Sequence, residues 1–127
     1  MRCLLDTNVL IDAFAGDPAA VKVLTEMRSS APEWVGFSSI TRLEVLGFAG
    51  LSPEDEAGLS KLLSEFNEMP VTSEVIDEAI RIRKAIRIKT PDAIIAATAL
   101  VRRSSLFTRN VTDFKRVPGL VVTAVRL

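Results

Sequence analysis

Short apolar runs of strand character alternate with capped, amphipathic helical stretches along the whole chain, and this alternation limits the fold more than any other feature. Residues 2–5 read as a short buried strand. Thr7 or Asn8 can cap a helix through Phe14, which Gly16 ends. Asp17-Pro18 starts a second helix, an acidic cap followed by proline at the first helical position, and Ala31-Pro32 breaks it. Residues 34–37 form the next strand, and Ser38 or Ser39 opens a helix running to Gly47 or Gly50. Ser52-Pro53-Glu54-Asp55 opens another helix, with Leu59, Leu62, Leu63 and Phe66 as its apolar stripe. Met69 to Thr72 reads as a third strand. Ser73 then caps a helix with Val75, Ala79, Ile82 and Ile86 on its inner face. Thr90-Pro91-Asp92 starts a helix that is apolar nearly all round as far as Val101, which predicts a buried, central position. Residues 106–108 make a fourth strand, 110–115 a turn or short helix, and 120–125 a last strand. Such alternation predicts an α/β fold with a mostly parallel sheet and right-handed crossovers.

At 127 residues the natural reading is a single domain, 1–127. Histidine is absent, which removes Ser-His and Cys-His nucleophiles, imidazole bases and imidazole metal ligands. The one cysteine, Cys3, allows no intrachain disulfide and reads as a small buried residue of the first strand. No cationic, apolar leader precedes Asp6, and the longest apolar stretch, Ala93 to Val101, is too short to span a bilayer. The expectation is therefore a cytoplasmic protein without a membrane partner. The zero formal charge hides an asymmetry: residues 1–77 carry 5 basic and 13 acidic side chains, and residues 78–127 carry 11 and 3. An acidic site beside a basic track for a polyanion would produce this split, and so would two halves whose surface charges simply intermix.

Four carboxylates fall where strands give way to helices, or a turn beyond: Asp6, Glu44, Asp92 and Asp113. In an open parallel sheet, segments leaving the carboxyl ends of the strands converge on one crevice. Acids gathered there repel one another unless cations hold them, and an oxygen-only set suits Mg²⁺ or Mn²⁺. Each acid also has an ordinary explanation. Asp6 can cap the helix that follows, and Glu44 and Asp92 can complement a helix dipole. Asp113 can answer Asn110 in a capping box.

The segments Leu4-Leu5-Asp6-Thr7-Asn8-Val9-Leu10-Ile11-Asp12, Ser38 through Gly47 with Ile40, Thr41 and Glu44, Pro91 to Ala99, and Thr108-Arg109-Asn110 with Asp113-Phe114 occur in this order across nearly the whole chain. As a set they resemble the PIN-domain family, specifically the VapC-type toxin ribonucleases of type II toxin–antitoxin systems. The resemblance implies a three-layer α/β/α fold and Mg²⁺- or Mn²⁺-dependent endoribonuclease activity. It also implies control by a small cognate antitoxin protein, and a homodimer. By position, Asp6, Glu44 and Asp92 match the family's three acids and Asp113 its more variable fourth, with Asn110 as the other candidate for that place. Asn8, Ser38, Thr41 and Thr108 match polar positions that support the acids. Arg83, Arg87, Arg109, Lys115 and Arg116 flank Asp92 and Asp113 in sequence and are the candidate cations for RNA phosphates. The family's antitoxin groove would take Val9, Leu10, Phe14, Leu46, Phe48 and Leu51. The competing reading is a catalytically silent PIN-like RNA-binding or scaffold module.

Overall fold

The computed structural model describes residues 1–126. Five strands, β1 (Arg2–Leu5), β2 (Trp34–Ser38), β3 (Asn67–Met69), β4 (Ser105–Thr108) and β5 (Val122–Ala124), form one sheet in the order β3-β2-β1-β4-β5, with every pair parallel. Leu4 lies opposite Gly36 on one side and Leu106 on the other. The chain builds outward from β1 through β2 to β3, then returns to the far side of β1 for β4 and β5. The direction of winding thus reverses between β1 and β4, and a crevice opens at their carboxyl ends.

The helices are α1 (Thr7–Phe14), α2 (Pro18–Ser30), α3 (Ser39–Leu46), α4 (Pro53–Leu63), α5 (Ser73–Ala85), α6 (Thr90–Val101) and the short α7 (Val111–Phe114). Alternation along β1 assigns them to two layers. Cys3 and Leu5 pack with Val9, Leu10, Leu24, Phe37 and Leu59 on the face covered by α1, α2 and α4. Leu4, between them, packs on the other face with Ile82, Ile95, Ala96 and Phe114 from α5, α6 and α7. The result is the predicted α/β/α arrangement. α6 is the buried helix its composition demanded: Ala93, Ile95, Ala96, Ala97, Thr98 and Ala99 are all buried. Among the described residues no helix is long and apolar enough to cross a membrane.

Local signals were mostly obeyed. Asp17 caps α2 by accepting from the Ala20 amide at 3.1 Å, and Ser52 caps α4 through the Asp55 amide at 3.1 Å. The third strand spans Asn67–Met69 rather than Met69 to Thr72, and Pro70, with no N–H to give to the ladder, ends it. Thr72, not Ser73, caps α5, accepting from the Val75 amide. Thr90 is the first residue of α6 instead of its cap, and Lys89 in the cap position makes no side-chain capping bond. Val9 and Leu10, expected in an antitoxin groove, are fully buried in the core and present nothing to a partner.

Candidate active site

Asp6 is the residue immediately after β1. Its own amide donates to the Phe107 carbonyl at 3.0 Å, which holds the chain against β4 as it leaves the sheet. The side chain is only 4% exposed. Oδ1 accepts the Thr7 amide at 2.8 Å and Oδ2 accepts the Thr108 hydroxyl at 2.7 Å. The residue is thus the cap of α1 and something more. Burial pushes its carboxyl from the ordinary 3.8 up to about 6; the two hydrogen bonds pull the other way, and repulsion from Asp92 and Glu44 adds to the rise.

Asp92 sits in the first turn of α6, which runs back along the sheet before β4 and so starts at the carboxyl edge. Its carboxyl is also raised, first by burial and then by repulsion from Glu44 and Asp113, against a smaller pull from Lys89. Glu44 projects from α3, and its Oε1 accepts the Thr7 hydroxyl at 2.8 Å. Asp113, on α7, accepts the Asn110 side-chain amide at 2.8 Å and meets Arg116 at 3.6 Å. Asn110 bonds Asp113 side chain to side chain and makes no capping bond to the helix backbone, so the pair is not a capping box. Repulsion thus links Asp6 to Glu44 and Asp92, and Asp92 in turn to Glu44 and Asp113.

The polar neighbours divide by role. Thr108 is fully buried; while donating to Asp6 it accepts the Asn110 amide at 2.9 Å, linking Asp6 to the Asn110–Asp113 pair. Thr41 is fully buried, with its hydroxyl 2.9 Å from that of Thr7. Ser38 caps α3 through the Ile40 amide at 3.2 Å. Asn8 accepts the Arg109 amide at 3.4 Å. Thr7 does more than start α1, since its hydroxyl meets Thr41 and Glu44, which lie three residues apart on one face of α3.

The candidate cations separate as well. The Arg109 guanidinium bonds Asp17 and lies 3.5 Å from Asp12, stapling the end of β4 to α1 and α2. Asp17 is held below the ordinary carboxylate range by the Ala20 amide and by Arg109. Arg83 and Arg87 line a depression of 420 Å³ with Lys84, Ala85, Ile86 and Ile88, in the segment just before Asp92. Lys115 is exposed.

The donor set suits a hard divalent cation. All the candidate donor atoms are oxygens, and each Asp6 oxygen accepts one hydrogen bond and retains acceptor capacity. Among the described residues no three acids already close round one point. Mg²⁺ characteristically binds through one or two carboxylates with water completing its shell, so a cage of three acids is not required.

Comparison with known proteins places the chain in a family. The PIN domain family model matches residues 3–120. The ribonuclease VapC19 of Mycobacterium tuberculosis is 32% identical over 122 residues, covering 92% of this chain and 95% of that protein. A toxin–antitoxin complex from Klebsiella pneumoniae contains a chain 36% identical to this one, with a TM-score of 0.79 over 94% of this chain and 95% of the other. VapBC2 of Rickettsia felis, solved on a promoter DNA fragment, aligns with a TM-score of 0.81 at 25% identity, covering 98% of each chain. The chain belongs to the PIN-domain family, in its VapC-type toxin group.

Proposed function

We propose that this chain is a divalent-metal-dependent endoribonuclease and the toxin of a toxin–antitoxin pair. The observation that carries the reading is a buried Asp6 at the carboxyl end of β1 in a PIN fold, held by Thr108 and the Thr7 amide, with Glu44 joined to it through Thr7. The chemistry supplied by Mg²⁺ or Mn²⁺, when bound, would be an acidified water and neutralised charge at the phosphate. Asp6 and Asp92, the two desolvated acids, would hold the ion. Glu44, oriented by Thr7, and Asp113, oriented by Asn110, would complete the donor set. Thr108 and the Thr7 amide keep Asp6 turned into the crevice. Water as nucleophile leaves a 3′-hydroxyl and a 5′-phosphate.

RNA phosphates fit the open cations Arg83, Arg87 and Lys115 better than Arg109 and Arg116, whose guanidinium groups already face acids. The partner is a small antitoxin. Relatives are solved as toxin–antitoxin complexes, and here α3 leaves Leu43 65% exposed beside a depression of 330 Å³ lined also by Ser39, Arg42, Leu46 and Gly47, with Phe48 67% exposed just beyond. A groove-filling amphipathic segment suits that surface. The same reading takes the protein as a single cytoplasmic domain acting as a homodimer. The test is incubation with labelled structured RNAs in Mg²⁺, Mn²⁺ or EDTA beside Asp6→Asn. Cutting should need the ion and vanish in the variant; cutting at the wild-type rate by Asp6→Asn would overturn the assignment.

A further inference from the structure

Thr7 touches two of the four acids at once. Its amide donates to Asp6 Oδ1 at 2.8 Å and its hydroxyl to Glu44 Oε1 at 2.8 Å. The second hydroxyl contact, 2.9 Å to Thr41, has a direction that chemistry decides. Thr7 Oγ1 donates to Glu44 Oε1 and a hydroxyl carries one proton, so Thr41 is the donor in its contact with Thr7. The result is a one-way chain, Thr41 to Thr7 to Glu44, anchored on a threonine with no solvent exposure. Glu44 itself is exposed, on a flexible side chain, and this is the hydrogen bond recorded for it. Nothing about α1 requires the hydroxyl: Asp6 is the cap of that helix, and Thr7 is its first residue.

We propose that Thr7 is a positioning residue, setting the spacing of Asp6 and Glu44 so that both face one divalent ion. The inference rests on the metal-dependent reading above and extends it to a residue outside the acid set. Residues that orient metal ligands typically contribute about ten- to a hundredfold in affinity. The test is Mn²⁺ titration by calorimetry, without RNA, on wild type, Thr7→Val, Thr7→Ser, Glu44→Gln and the Thr7→Val/Glu44→Gln pair. Thr7→Val, which keeps shape and amide, should weaken Mn²⁺ binding by about tenfold, while Thr7→Ser should stay close to wild type. In the Glu44→Gln background, Thr7→Val should cost little more, because its effect passes through Glu44. Thr7→Ala, which only removes atoms, replaces Thr7→Val if the valine disturbs folding. Equal Mn²⁺ affinity in wild type and the Thr7 variants, or full additivity with Glu44→Gln, overturns the positioning role and leaves the nuclease reading standing. No Mn²⁺ binding by wild type overturns that reading, and this inference with it.

Discussion

Asp6→Asn should raise the melting temperature of the metal-free protein at pH 8. The folded carboxyl titrates at about 6 against an ordinary 3.8. A raised carboxyl means that the folded state holds its proton more tightly. Its stabilising contribution is therefore complete below pH ~3.8 and lost as the pH rises through ~6. Near neutrality the ionised Asp6 costs the metal-free fold up to about 3 kcal/mol, at 1.36 kcal/mol per pH unit. Asparagine removes the charge and keeps an oxygen for the Thr7 amide, while its NH₂ can donate to the Thr108 oxygen. The imperfect match to the protonated acid leaves a net gain of about 1–2 kcal/mol. With an unfolding entropy of about 2.1 cal/mol/K per residue, that is a rise of about 4–8 °C for a chain this size. Thermal melts in EDTA at pH 8 and pH 4 read it directly. The gain should shrink at pH 4, where wild-type Asp6 recovers its proton, and Mn²⁺ at pH 8 should stabilise wild type more than the variant. An Asp6→Asn protein that melts several degrees below wild type at pH 8 in EDTA would refute the reasoning.

Three further outcomes follow from contacts of different kinds. Arg109→Ala should lower stability by about 1 kcal/mol, seen as a drop of a few degrees in the melt, because it frees Asp12 and Asp17 at partly exposed positions. Arg83→Ala and Arg87→Ala should leave the melt nearly unchanged while weakening RNA binding and flattening its salt dependence by about one counterion each, measured by filter binding across a salt series. Ala97→Leu, at a position with no exposure inside α6, should cost about 1–3 kcal/mol in a urea titration through overpacking.

Much of this architecture could be read before any coordinates because local chemistry and global pattern agree. Asp17-Pro18 and Ser52-Pro53 start helices as their residue types require, and the unbroken apolar surface of 93–101 leaves burial as the only arrangement. Topology accounts for Asp6, Glu44 and Asp113, each of which follows the carboxyl end of a parallel strand; Asp92 follows α5 instead, so no strand end announces it. Side-chain pairing was harder to see. Asn110 and Asp113 have capping-box spacing, yet the amide prefers the carboxylate. Arg109 has the look of a phosphate ligand, yet it meets two acids 92 and 97 residues earlier, a partnership that only the fold creates. Thr7 was hidden for the same reason: local rules account for its amide, and its hydroxyl acts on a helix more than thirty residues away.

The most direct test of the central claim is the chemistry of the cut. Total cellular RNA, incubated with the protein and Mn²⁺ in ¹⁸O-labelled water, should yield metal-dependent fragments with a 3′-hydroxyl and one ¹⁸O in the new 5′-phosphate. Fragments ending in a 2′,3′-cyclic phosphate, or cleavage that persists in EDTA, would contradict a mechanism built on these four carboxylates and a metal-activated water.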